Sequence, residues 1–182
     1  MRFTKLSLKD LGLTFQLNHH NLRCPTPIAC HKNFCVLHTN GIHEVAIHFC
    51  GCNRQIPHHL QLLRRGLYPA SQIDVRTVAT FRLLQLLQLF SLTAKPSVYD
   101  QYRTLERLTS NTGLNMPKSR SRALFRMTVQ WRHLKLAKRA GRGHDPTGIK
   151  GTRNGELSIL CPTCPYGGIN MLEETFDVDS KK

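Results

Sequence analysis

A chain of 182 residues with 40% hydrophobic side chains can bury the core of one domain, or of a domain and a half, which excludes wholesale disorder. Its 26 Lys+Arg against 11 Asp+Glu leave a formal charge of +15, which points to a polyanionic partner, nucleic acid before an anionic membrane. The longest apolar stretch, residues 83–92, is interrupted by Gln85 and Gln88 and is too short for a bilayer-spanning helix, and no apolar signal region follows Met1, so no membrane is expected.

From the N-terminus the pattern reads as short strands. Leu13, Phe15 and Leu17 alternate with Thr14 and Gln16, residues 34–37 form a second candidate, and Val45, Ile47 and Phe49 alternate with Glu44, Ala46 and His48. Pro25 and Pro27 punctuate one connection, and Asn40-Gly41 supplies turn residues just before the strongest strand. From Arg76 to Arg139 the period becomes helical. Val78, Phe81, Leu84 and Leu87 begin a leucine-rich helix that must stop near Lys95, because Pro96 follows. Ser97 and Asp100 form a cap pair for a second helix ending around Asn111 and Gly113. A third helix spans residues 121–139, with Leu124, Met127, Trp131 and Leu134 on one face, so Trp131 reads as a core anchor. Residues 140–146 are a glycine-rich turn, and residues 155–161 read as a strand with Leu157 and Ile159 on one side. The acidic tail from Glu173 reads as a truncated edge.

The predicted fold class is therefore α+β: a small zinc-stabilised N-terminal β-sheet, a three-helix segment, and a C-terminal strand with a CPxCP knuckle. The corresponding segments are residues 11–72, 73–142 and 143–172, with 173–182 as a tail.

Seven cysteines would leave one thiol over in a pure disulfide framework, and they cluster as C-x-C (Cys50, Cys52) and C-x-x-C (Cys161, Cys164), which favours metal. Zinc takes four thiolate or imidazole ligands in a tetrahedron, and such spacings let one turn present two of them. In the first fifty-odd residues Cys24, Cys30, Cys35, Cys50 and Cys52 lie among His19, His31, His38 and His43, more ligands than one site can use. Alternation places His43 with Val45 and Phe49, which suits either a ligand or a buried histidine bonded to backbone. Cys30 and Cys35 stand apart from any tight pair and read as small buried hydrophobes. Thioredoxin-like pairs open a helix, whereas Pro165 follows Cys164, so a structural zinc is the better reading of that pair. Its remaining ligands could come from the Cys50-Gly51-Cys52 turn, or the chain could hold two separate sites.

Residues 118–142 carry nine Lys+Arg and no Asp or Glu. On a helix Arg132, Lys135, Arg139 and Arg142 fall on one side, with Arg126 and Lys138 nearby, so a phosphate-tracking face is expected there, with DNA as partner. No helix-turn-helix, zinc-finger or RNP pattern encodes sequence readout. Asp74, Asp100, Glu106, Asp145 and Glu156 are scattered without paired-carboxylate spacing, and Gly141-Arg142-Gly143 follows a helix instead of opening one, so neither a two-metal site nor a phosphate loop is expected. His144-Asp145 reads as a turn before Pro146.

Several of these runs carry a resemblance. Leu11-Gly12-Leu13 with His19 and Cys24, His38-Thr39-Asn40-Gly41-Ile42-His43, Phe49-Cys50-Gly51-Cys52, Gln61-Leu62-Leu63-Arg64 and Tyr68-Pro69-Ala70 resemble the CxC-type cysteine cluster that accompanies KDZ transposases of fungi. Trp131-Arg132-His133-Leu134-Lys135, Arg139-Ala140-Gly141-Arg142-Gly143-His144-Asp145-Pro146 and Cys161-Pro162-Thr163-Cys164-Pro165 extend it over residues 11–172. The resemblance implies a zinc-chelating module ahead of a DDE-type transposase domain, with His19, Cys24, Cys50, Cys52, Cys161 and Cys164 as ligand candidates. It also implies that the catalytic carboxylates belong to that other domain, so this chain is expected to be no enzyme and to take no small-molecule substrate. The expected function is an accessory module of a KDZ-like transposase that binds DNA or docks a partner such as the catalytic domain, acting in the nucleus, an intracellular, reducing compartment. The alternative is a stand-alone protein-interaction module, a remnant of a transposable element.

Overall fold

A computed structural model describes residues 7–19, 23–52, 56–113, 117–157 and 163–164. The chain divides into two compact units, residues 1–133 and 134–182. The first is α+β: among the described residues it holds two small sheets, three helices and the first part of a fourth, which runs on past its boundary.

In the first unit, strands β1 (Thr14–Gln16), β2 (Pro27–Ala29) and β5 (Ala46–Cys50) form a three-stranded sheet in the order β1-β5-β2, β5 running parallel to β1 and antiparallel to β2. Strands β3 (Cys35–His38), β4 (Gly41–Glu44), β6 (Leu67–Pro69) and β7 (Thr77–Thr80) form a second sheet in the order β4-β3-β7-β6. The predicted strand around Val45, Ile47 and Phe49 is β5, and those three side chains are buried as the alternation requires.

The turn between β3 and β4 is the two-residue loop Thr39-Asn40, since His38 pairs with Gly41. Gly41 has φ +141°, and a Cβ there would stand 2.8 Å from Thr109 Oγ1. That hydroxyl accepts from Ile42 N–H at 2.7 Å and donates to Leu105 carbonyl, so only glycine admits the end of the helix Val98–Thr109 against the hairpin.

Helix α1 (His58–Arg64) follows β5; α2 (Phe81–Thr93), α3 (Val98–Thr109) and α4 (Ser121–Arg139) follow β7. Thr80 Oγ1 caps α2 by accepting from Leu83 N–H, and Ser97 Oγ caps α3 by accepting from Asp100 N–H. The helix starting at Phe81 corrects the sequence reading that included Val78: residues 77–80 are β7, a strand buried on both faces whose run Thr-Val-Ala-Thr shows no alternation. Residues 58–64 and 67–69, where the sequence pattern predicts no element, form α1 and β6.

The second sheet has a core on each face. Cys35, Leu37 and Ala79 join Leu83, Leu84, Leu87, Tyr102, Leu105, Leu124 and Met127, with Trp131 packed against this cluster, its ring centroid 5.1 Å from Phe81 and 6.0 Å from Tyr68. Val78 and the partly buried Val36 instead join Phe34, Val45, Ile47, Phe49 and Leu62. Successive residues of β3 and β7 therefore serve two cores, helices on one side and the three-stranded sheet on the other.

In the second unit, the chain leaves α4 through a glycine cap: Gly141 has φ +71°, Gly141 N–H bonds Lys138 carbonyl, and Arg142 N–H bonds Ala137 carbonyl. Asp145 closes the next turn by accepting from Thr147 N–H and Oγ1, as its place before Pro146 suggested. A single 3-10 turn spans Gly148–Gly151. Gly155 to Leu157 form a turn, not the start of the predicted strand; Ile159 and Cys161 lie outside the described residues.

Candidate metal centre

Three stretches of chain meet at one end of the three-stranded sheet. His19 follows β1 through Asn18, which takes a left-handed φ of +68° and turns the chain there. Cys24 precedes β2, Cys50 closes β5, and Cys52 lies two residues on. The ligand atoms of these four residues all fall within 4.8 Å of one another. Cys24 Sγ is 3.7 Å from Cys52 Sγ, and His19 Nε2 is 3.1 Å from Cys50 Sγ and 3.6 Å from Cys52 Sγ.

These spacings can be compared with a coordination shell. With zinc–sulfur bonds of about 2.3 Å and zinc–nitrogen bonds of about 2.0 Å, a tetrahedron has S···S edges of about 3.8 Å and N···S edges of about 3.5 Å. The Cys24–Cys52 and His19–Cys52 separations match those edges, and three thiols with one imidazole form a donor set suited to a tetrahedral divalent ion. Cys24 and Cys50 are buried while His19 and Cys52 are half-buried, so the group is shielded yet reachable.

The local sequence holds the ligands in place. Gly51 passes so close to the neighbouring strand that a Cβ would stand 2.8 Å from Thr26 carbonyl oxygen and 2.9 Å from Ile28 Cδ1, which explains the glycine inside the C-x-C turn. Gly51 N–H bonds that same Thr26 carbonyl at 3.0 Å. Gln61 on α1 is fully buried, accepts from Cys50 N–H at 2.8 Å and donates to Cys50 carbonyl at 2.9 Å and to Ile56 carbonyl at 2.8 Å. Gln16 on β1 accepts from Cys24 N–H at 2.9 Å. Two glutamines thus fix the backbones of two ligands, a supporting role the sequence reading did not assign. The available signal was Gln61 itself, a polar residue in the apolar run Leu60-Gln61-Leu62-Leu63.

The thiols are electrostatically unequal. Burial works against ionisation of Cys24, but hydrogen bonds from Thr26 N–H and from the Cys52 thiol outweigh it and hold its pKa below the usual thiol value. At Cys50 the Cys52 N–H favours the thiolate, but burial and the adjacent Cys52 and Cys24 thiols prevail and push it up.

The remaining histidine and cysteines, three of them expected as ligands (His43, Cys161, Cys164) and two not (Cys30, Cys35), are not in this group. His43 stands in β4, in the other sheet, with Nε2 2.8 Å from Asn40 Oδ1. Cys30 Sγ accepts from Ile47 N–H at 3.2 Å, and Cys35 is buried in the helical core, where burial pushes its thiol up to about 11. Cys164 is exposed, and Cys161 lies outside the described residues. Among the described residues, the group of four potential ligands lies within residues 19–52.

Of the basic residues expected to meet nucleic acid, Arg126, Lys138 and Arg139 are exposed and Arg132 and Lys135 half-buried. Arg142 departs from the expected helical face, because α4 ends at Arg139 and the glycine cap turns the chain; its guanidinium pairs with Asp145 at 2.6 Å and with Glu156.

No curated protein and no solved structure matches this chain. Residues 8–113, which include all four converging ligands, match the family described as CxC2 like cysteine cluster associated with KDZ transposases. The matched span ends before α4 and the Cys161–Cys164 pair, over which the sequence resemblance had been extended. Since that match covers more than half of its length, the chain belongs to the CxC2-like cysteine cluster family associated with KDZ transposases.

Proposed function

We propose that this chain is a non-catalytic accessory module of a KDZ-like transposase, clasped by one zinc ion and binding nucleic acid. The observation that carries the reading is the convergence of His19, Cys24, Cys50 and Cys52 from three stretches of chain, with their ligand atoms all within 4.8 Å of one another. A zinc ion bound there would supply a four-point crosslink between the ends of β1, β2 and β5. β1 and β2 bury none of their own side chains fully, whereas β5 buries Ile47 and Phe49, so the crosslink would fasten the two outer strands to the packed central one. Nucleic-acid binding draws its support from the +15 charge and from the basic residues on α4. A nuclear site of action goes with that role.

The test uses the purified full chain. Native mass spectrometry is expected to find zinc, and Cys50→Ser to lose one equivalent of it. The zinc-loaded chain is then titrated with short oligonucleotides, where log Kd is expected to depend steeply on log salt. A chain that holds no zinc and folds fully in strong chelator overturns the zinc reading; salt-independent or absent oligonucleotide binding overturns the nucleic-acid reading.

A further inference from the structure

Two clefts adjoin at the start of α4, both within the first unit. The first, of about 450 Å³, is lined by Arg76, Arg120, Arg122 and Arg126 against one acidic residue, Asp74. Asp74 is already paired with Arg76 at 2.5 Å, and Arg120 donates one of its five N–H groups to Asn33 carbonyl. Arg122 and Arg126 are exposed and form no ion pair among the described residues. The second cleft, of about 570 Å³, shares Arg122 and Arg126 with the first and adds Val98, Tyr99 and Phe125 as apolar walls. Both rings are unusually open for aromatic side chains, Tyr99 at 60% and Phe125 at 56% exposure, and Arg103 stands 5.9 Å over the Tyr99 ring.

A solvated basic helix needs no aromatic neighbours, and a hydrophobic docking groove needs no arginine cluster. Arginines in one concavity repel each other unless an anion neutralises them, and exposed rings beside them offer faces on which a flat group can stack. A phosphate joined to an unstacked base satisfies both clefts at once. In duplex DNA the base faces are covered by stacking, whereas a single strand presents each base free beside its own phosphate. Resting on the nucleic-acid reading above, we propose that the joined clefts bind a single-stranded nucleic acid, a backbone phosphate among Arg76, Arg120, Arg122 and Arg126 and a base against Tyr99 and Phe125.

The experiment compares the zinc-loaded full chain with Phe125→Ala, Phe125→Trp and Arg122→Gln/Arg126→Gln, each checked for unchanged circular dichroism and zinc content. Each is titrated with a short mixed-sequence single strand and with its duplex across a salt series. Wild type is expected to favour the single strand. Phe125→Ala is expected to weaken single-strand binding by on the order of tenfold with the duplex unaffected, and Phe125→Trp to preserve it. The double arginine variant is expected to flatten the single-strand log-log salt slope by about 1.4. Oligonucleotide binding that none of these variants changes overturns the cleft while leaving the nucleic-acid reading intact. A wild-type chain that binds neither oligonucleotide overturns both and favours protein docking.

Discussion

On the helical side of the four-stranded sheet the core counts eleven buried residues, Tyr102, Leu124 and Met127 among them, whereas on the other side it counts eight, and β1 and β2, three residues long, leave Phe15 and Ile28 exposed. The helical side has the interlocking side chains that normally hold a domain together. The ligand-bearing sheet has a smaller core of eight buried residues and, beyond it, a buried glutamine, a tight glycine turn and four converging ligand atoms at its end. One chain therefore offers two kinds of cohesion: apolar burial on both faces of the four-stranded sheet, larger under the helices, and, in the reading proposed above, a metal crosslink added at the edge of the smaller core. The two should fail under different insults.

The largest expected effect is on the helical side. Leu124 is fully buried at the meeting of α2, α3 and α4, and Leu124→Ala is expected to cost about 2–5 kcal/mol in denaturant unfolding. It should leave the zinc content of the folded protein unchanged, and a variant that sheds zinc would merge the two regions into one.

The pH dependence separates them next. Cys35 lies in the helical core, and burial first, with Glu44 adding and Arg120 opposing, pushes its pKa to about 11. Its unfolded thiol ionises more readily, so the unfolded state gains as pH rises through its ordinary value near 9, and the loss is complete above about 11. The full effect is about 2–3 kcal/mol, and Cys35→Ala should abolish that alkaline dependence in urea titrations between pH 8 and 11. The metal centre has the opposite sign, because protons compete with the ion for its thiolates. Zinc affinity is therefore expected to fall as pH drops from 8 to 6, as read by competition with a chromophoric chelator.

A smaller effect sharpens the comparison from the ligand side. Gln61→Leu strands the N–H and carbonyl of Cys50 without their partner, and loss of such outer support typically costs about 10–100-fold in metal affinity. Hydrogen exchange in α2 and α3 should be unchanged while β5 exchanges faster.

What could be read from the sequence follows the same division. α3 and α4 announced themselves through a cap pair and a 3.6-residue stripe, and β5 through alternation into the C-x-C pair, because each has one buried face. β7 did not, since a strand covered on both sides loses its alternation, and its run merged with the apolar helix that follows. α1 is only seven residues long, below the length at which a period is visible. At the site, the C-x-C pair was legible from spacing, and His19 and Cys24 through the family resemblance. Selecting four ligands among the eleven cysteines and histidines of residues 1–52 required the strand order, because pairing of β5 with both β1 and β2 brings the three stretches together. His43 pointed the right way for a packed strand but belongs to β4, since the chain changes sheets at Val45.

The most direct test of the account is zinc X-ray absorption on the purified chain and on a Cys161→Ser/Cys164→Ser variant. The account expects a first shell of three sulfurs and one nitrogen at about 2.3 and about 2.0 Å that persists unchanged in that variant and disappears in Cys50→Ser. A shell that survives Cys50→Ser, or one lost with Cys161 and Cys164, would contradict it.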